Sequence, residues 1–348
     1  MNDFNTSEYK VTYLLGAGAS AKQLPTVKGT GNNDGIAHMI KYLSNDLKHE
    51  KGIDSKYDYF IKEIISDLEW LSENSIKYGT PDTFAKFLYL KDRTSIPRLK
   101  RALSFYFTYE QFIKNKKDIR ALVFLITVMQ TGSIFPSNIK ILNWNYDFQV
   151  QIAAENFIKE EIYNISGATV HKPPLIEYYP SIGNEMIVNN NENNYEHAAM
   201  VHLNGIAGFY FEQKNKHILN YFTNRTLENT NQLIEGYTNN LDEKYDLLTF
   251  AWEKNEASNY LRKRLEIAKS IISESDILVV IGYSFPFFNR EMDSEIFEAL
   301  KSSEKFKKIY YQDPFRTGDF LKNQFQLSNK IEIEHIKETE NYFIPLEL

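Results

Sequence analysis

Apolar residues along this chain follow two different periods. Short unbroken runs occur at Val11-Thr12-Tyr13-Leu14-Leu15, Ile139-Lys140-Ile141-Leu142, Ala198 to Leu203, Asp276 to Ile281 and Lys308-Ile309-Tyr310-Tyr311. Runs this short, rich in β-branched and aromatic residues, predict strands buried on both faces of a parallel sheet. Between them the spacing changes to three and four. Tyr57, Phe60, Ile61, Ile64, Ile65, Leu68 and Leu71 mark one face of a helix, and so do Leu261, Leu265, Ala268 and Ile272 between Tyr260 and Ser273. Further helices are predicted over Thr83–Leu90, Ala121–Met129, Phe148–Ile158 and Glu291–Leu300. Ala121–Met129 is apolar nearly all round and is expected to be deeply buried.

The alternation of strand and helix predicts an α/β fold, a Rossmann-like parallel sheet covered by helices. The helical period runs unbroken from about 35 to 135, which predicts a large helical insertion. A smaller insertion is expected over about 165–260, with a surface loop at the Asn-rich stretch Asn184–Asn194 and a polar helix near Asn224–Asn240. We expect a single domain over 1–348.

Composition narrows the class. The chain has 348 residues, 43% of them hydrophobic, enough for a sizeable core. Lys and Arg number 40 against 46 Asp and Glu, a net charge of −6, which argues against a sequence-specific nucleic-acid binder. The chain contains no cysteine, so a disulfide or a thiolate zinc site is excluded and no metal site is expected. No apolar run of about 18 residues suggests a membrane span, and Met1–Lys10 lacks a signal-like core. A cytoplasmic location is the expectation.

The candidate chemistry lies at the strand ends, where open α/β sheets place their ligands. The first run leads into Gly16-Ala17-Gly18-Ala19-Ser20, a turn whose backbone could approach a phosphate, with Ser20 adding a hydroxyl. The spacing lacks the third glycine of the dehydrogenase fingerprint, and a tight turn without a ligand explains it equally well. Asn145 and Asp147 follow the second strand. The amide could hold a water or a ribose hydroxyl and the acid could accept from a carboxamide, or either could merely cap the next helix. His202 and Asn204 share a strand face, and imidazole is the usual general base near neutral pH. A hydrogen-bonded structural histidine is the competing reading, with His171 as the rival base. Gly282 and Ser284 end the fourth run and Asp313 the fifth, where an acid could grip a ribose diol. Asp293, inside the following helix, is expected at the surface.

The order of these signals resembles the sirtuin-like family. A strand precedes Gly16-Ala17-Gly18-Ala19-Ser20; Leu24-Pro25, Asn145-Tyr146-Asp147, a strand end at Asn204-Gly205 and Gly282-Tyr283-Ser284 follow. The pattern is most similar to the branch that consumes NAD in bacterial anti-phage defence. The resemblance covers the first 30 residues, the stretch 139–158 and, in outline, 198–313. It implies that Gly16, Ala17, Gly18 and Ser20 cradle the NAD phosphates. Asn145 would position a water near the nicotinamide ribose, and Asp147 would bind the carboxamide. Gly282 and Ser284 would contact ribose and phosphate, and Asp313 the adenosine side.

The departures are informative. Sirtuins carry the catalytic histidine immediately before the glycine of this strand end, where this chain has Asn204, and His202 lies two residues earlier. The general-base position is therefore open between His202, Asn204 and His171. Val27 and Lys28 stand where the family has Phe and Arg, and the four-cysteine zinc module of its deacylases is absent. The expected activity is NAD hydrolysis to ADP-ribose and nicotinamide, with NAD as substrate and no zinc. An NAD-dependent protein deacylase and a non-catalytic NAD or ADP-ribose sensor are the alternatives. The family habit of restraint implies a homo-oligomer or a separate sensor, such as a HerA-type ATPase or an Argonaute-like protein, since no large sensor region follows within the chain.

Overall fold

The structure is a computed structural model that describes residues 9–29, 34–129, 135–158, 175–180, 198–212, 217–221, 229–238, 244–253 and 258–348. Its main sheet contains β1 (Val11–Leu15), β2 (Ile139–Asn143), β3 (Tyr178–Tyr179), β4 (Met200–His202), β8 (Ile277–Ile281), β9 (Lys308–Gln312) and β10 (Glu332–Ile336). The seven strands are ordered β10-β9-β8-β1-β2-β4-β3, and every pairing is parallel. The chain is thus α/β with a Rossmann-like sheet.

Period-2 alternation explains how the sheet is held. Leu14, Leu142, Val201, Leu278, Val280, Ile309 and Tyr311 face one core cluster with Ala268 and Ile272 of α8 (Ser258–Ser273), Ile296 and Phe297 of α9 (Arg290–Lys301) and Leu321 of α10 (Gly318–Phe325). Tyr13, Leu15, Ile141, Met200, Val279 and Tyr310 face the other, with Phe124 and Leu125 of α5 (Ile119–Val128) and Val150 and Ala153 of α6 (Gln149–Ile158). Both faces are covered, as all-parallel sheets require.

A separate core holds the insertion together. Helices α1 (Ile36–His49), α2 (Asp58–Tyr78), α3 (Pro81–Lys91) and α4 (Ile96–Thr108) contribute Ile40, Leu68, Leu71, Phe84, Leu99 and Tyr106. The same cluster takes in Tyr210 of β5 (Phe209–Glu212), Leu233 and Tyr237 of α7 (Thr230–Thr238), and Phe250. β5 is the centre of a three-stranded antiparallel sheet with β6 (His217–Asn220) and β7 (Lys244–Asp246). The two stretches expected as separate insertions therefore share one core. Within 165–260, β3 and β4 belong to the main sheet.

Three expectations change. Helix α5 is not buried all round: Ile119, Val123 and Ile126 are 61%, 41% and 51% exposed, because only one side packs on the sheet. Asp293 is buried, not superficial; its carboxylate accepts from the Tyr283 hydroxyl at 2.9 Å. Strands β3, β5, β6, β7 and β10 went unpredicted; β3 spans only two residues and β10 is a charged strand at the sheet margin. The stretches 181–197 and 222–228, which carry the whole of the Asn-rich loop and the start of the polar helix, lie outside the described residues. Among the described residues no helix is long and apolar enough to cross a membrane.

Candidate functional site

From β1 the chain crosses to β2 on one side, and it later returns to β8 on the other. The boundary between β1 and β8 is thus a topological switch point, where the loops leaving adjacent strand ends diverge and open a crevice. Both glycine turns sit there, and they touch. The Gly18 amide donates to the Gly282 carbonyl at 2.8 Å and the Gly16 amide to the Ile281 carbonyl at 3.0 Å. A Cβ on Gly16 would fall 2.5 Å from the Tyr283 Cα, and one on Gly18 would fall 2.6 Å from the Gly282 Cα. Gly282 also has φ +59°. Turn-against-turn contact alone therefore demands these glycines. Ala17 and Gly18 are the partly exposed members of the loop.

The loop is also pinned from behind. Arg120, paired with Asp118, donates to the Ala19 carbonyl at 2.7 Å, and the Tyr342 hydroxyl donates to the same oxygen at 2.9 Å. Neither anchor was foreseen, because each lies far from the loop in sequence and carries no local pattern.

Ser20, Asn145 and Asp147 meet beneath these turns. Asn145 Nδ2 donates to the Gly16 carbonyl at 2.9 Å and approaches Ser20 Oγ at 3.4 Å. The Ser20 side chain acts on the Asp147 carboxyl and draws it toward the ionised form. Asp147 Oδ1 accepts from the Gln149 amide at 3.1 Å at the start of α6, so the capping role is real as well. Burial pushes the Asp147 carboxyl up to about 6, against the downward pull of Ser20 and the Gln149 amide. Gln149 in turn bonds Gln111 at 3.0 Å and the Lys116 carbonyl at 2.9 Å, tying this segment to the tail of α4.

His202 lies behind Asn145, with 0% exposure. Its Nδ1 donates to the Asn145 carbonyl at 3.4 Å, and its Nε2 meets the Gln151 amide nitrogen. This arrangement requires a neutral ring, donor at Nδ1 and acceptor at Nε2. Burial, the dominant cause, and the Arg264 charge push the imidazole down to about 3. The imidazole expected as an accessible base is enclosed, with both ring nitrogens engaged. His171 lies outside the described residues. Asn204 is buried, with Nδ2 3.4 Å from the Trp144 carbonyl and Oδ1 without a protein partner.

The far end of the crevice is built differently. Ser284 is exposed, and its carbonyl accepts from the Arg316 guanidinium. Asp313 Oδ1 accepts from the amides of Phe315 and Arg316 at 2.8 and 2.7 Å, shaping the turn after β9. Its carbonyl accepts from His335 Nε2 at 2.8 Å. The residues singled out in the sequence thus lie along the C-terminal tips of β4, β2, β1, β8 and β9. Among the described residues no group of three or more His, Asp or Glu is gathered to hold a metal.

No protein-family model and no curated protein sequence matches this chain. Among solved structures it is similar to Sir2Tm bound to a propionylated peptide, with a TM-score of 0.38 and 10% identity over 95% of this chain and 89% of that one. It is also similar to a structure that addresses the basis of sirtuin substrate affinity, with a TM-score of 0.36 and 12% identity over 95% of this chain and 90% of that one. Likeness at this level lends no weight to the chemistry, which rests on the residues described above.

Proposed function

We propose that the chain binds NAD across the tips of β8, β1, β2 and β4 and hydrolyses it to ADP-ribose and nicotinamide. The observation that supports this reading is the gathering of Ser20, Asn145 and Asp147 where the two glycine turns meet, with Asn145 bonded to Gly16 and Ser20. The Asn145 Nδ2 is committed to Gly16 and Ser20, which leaves its Oδ1 to accept from a water. That water attacks the ribose carbon as the bond to nicotinamide breaks; nicotinamide leaves with the bonding pair, and the proton lost by the water passes to solvent. Positive charge grows on the ribose in the transition state, and the nearby Asp147 carboxylate, once ionised, stabilises it. His202, enclosed and neutral, holds the Asn145 carbonyl and acts as a positioning residue. Ala17, Gly18, Gly282, Ser284 and Asp313 complete the binding surface toward the adenosine.

In the cell, such an activity suits an effector that depletes NAD in anti-phage defence, restrained as a homo-oligomer or by a separate sensor. One observation favours the sensor alternative, binding without turnover: the position before Gly205 holds an amide, which cannot take a proton, and His202 has no access to water. Incubating the purified chain with NAD and no peptide separates the readings. Nicotinamide release is expected, and it requires no acyl peptide, unlike a deacylase. Asn145→Ala should keep ADP-ribose binding while losing about 100-fold or more in kcat, comparable to removing a preorganised polar group at a reacting centre. Unchanged turnover in that variant would remove Asn145 from the reaction.

A further inference from the structure

Tyr146 separates the two residues given the central roles, and its side chain leaves the cluster they form. Its ring lies against Phe107 at the end of α4, with centroids 5.9 Å apart, and against Phe250, at 6.3 Å. Its hydroxyl reaches Asp82 Oδ1 at 3.5 Å. Its carbonyl accepts from the Ala207 amide at 2.9 Å, just beyond the strand end that carries Asn204. Asp82 comes from the first turn of α3, opened by Thr80, which accepts from the Thr83 amide, and by Pro81. The helical insertion therefore puts a carboxylate onto the residue between Asn145 and Asp147.

We propose that Asp82 is a positioning residue of the reaction, which holds the Asn145–Asp147 segment through the Tyr146 hydroxyl and makes the helical insertion part of the catalytic unit. This inference rests on the hydrolase reading above. Two independent features support it. The short segment Trp144–Asp147 joins β2 to the crevice chemistry, and among the described residues its other hydrogen bonds run to Leu15, Gly16, Ser20, Asn143, Gln149, His202, Asn204 and Ala207, all outside α1–α4. Asp82 is also the acid placed to sense that contact. Burial raises its carboxyl to about 6, opposed by its own backbone amide and the Tyr146 hydroxyl. The phenol is raised well above its ordinary value, first by burial, then by Asp82 and Glu253, with Arg264 acting in the opposite sense. Glu253 is itself paired with Lys100 of α4 at 2.8 Å. Above about pH 6 the ionised Asp82 accepts from the phenol; below it the neutral acid holds the phenol less strongly.

The test uses the full chain, with NAD as the probe, following nicotinamide release across pH 5–8. Asp82→Ala and Tyr146→Phe should lower kcat about tenfold or more, with KM for NAD within about threefold, because the segment is misplaced while the binding surface survives. Asp82→Asn keeps an acceptor for the hydroxyl and should recover kcat at pH 8. Its acid limb should contain one ionisation, that of Asp147, where the parent shows two. The isosteric variant answers the question even if Asp82→Ala does not fold. An active parent with Asp82→Asn retaining both ionisations, or with Asp82→Ala at parental kcat, overturns this inference alone. A parent chain that releases no nicotinamide overturns the hydrolase reading and this inference with it.

Discussion

The two ends of the crevice are built on opposite principles. At the β1–β2 end, Ser20, Asn145, Asp147 and His202 are all buried and bonded to one another or to the backbone around them. At the β8–β9 end, Ser284 is exposed, Phe315 and Phe287 are 82% and 72% exposed, and the polar contacts are the Arg316 guanidinium on the Ser284 carbonyl and the Phe315 and Arg316 amides on the Asp313 carboxylate. A buried and satisfied polar cluster is rigid, and a group fixed before substrate arrives stabilises a transition state without reorganising. An open rim adapts to its ligand and contributes affinity in place of rate. On the hydrolase reading proposed above, the first end would carry the chemistry and the second the grip.

The largest effect is expected where the two ends are joined. Gly282→Ala would place a Cβ 2.4 Å from the Gly18 Cα at a position with φ +59°. Strain and clash together should cost about 3 kcal/mol or more in chemical denaturation, with loss of turnover. A variant that unfolds at the parental midpoint would show that the two turns do not depend on each other, and the crevice would lose its frame.

Asp147→Asn should separate stability from function at the buried end. The folded carboxyl is raised to about 6 from an ordinary value of 3.8, so the folded state favours the protonated form. Its ionisation therefore works against folding above pH 6, and this penalty fades as pH falls from about 6 to 3.8. The amide variant carries no such charge, and its oxygen still accepts from the Gln149 amide. It should be more stable than the parent at pH 8 by ~1–3 kcal/mol, with the gain shrinking by pH 5, while turnover falls by about 100-fold. For the parent, nicotinamide release should decline below about pH 6 as Asp147 takes its proton. Equal stability of the two proteins at pH 8 and pH 5 would show that burial does not act on this carboxyl.

The same contrast explains what could be read in the sequence. Strands β1, β2, β8 and β9 announced themselves because burial on both faces forces unbroken apolar runs, and each run ended at a residue that now borders the crevice. The meeting of Asn145 and Ser20 followed from strand adjacency, which the alternation of elements implied. The anchors Arg120 and Tyr342 escaped, because a long-range bond to a carbonyl leaves no local pattern. The open face of α5 escaped because a helix apolar on nearly every side offers no polar face to say which side is covered. His202 showed the opposite failure: its position on the strand was legible, but its enclosure by Gln151, Asn145 and Arg264 depends on three separate elements and belongs to the tertiary structure.

The smallest effect belongs to the open end. Asp313 shapes its turn through two backbone amides, at 2.8 and 2.7 Å, and Asp313→Ala leaves both without that acceptor. The residue is 8% exposed and the turn lies at the rim, where water can replace part of what is lost, so stability should fall by only ~1 kcal/mol. If the rim grips the adenosine half, KM for NAD should rise about three- to tenfold while kcat stays within about twofold, the pattern of lost uniform binding. Asp313→Asn keeps the capping oxygen but not the charge, and so separates the turn from the ligand. A KM that recovers in the Asn variant makes Asp313 a builder of the loop, whereas one that stays raised means the carboxylate itself meets the ligand. A fall in kcat as large as that of Asn145→Ala would erase the distinction between the two ends, because the rim would then be taking part in the bond-breaking step.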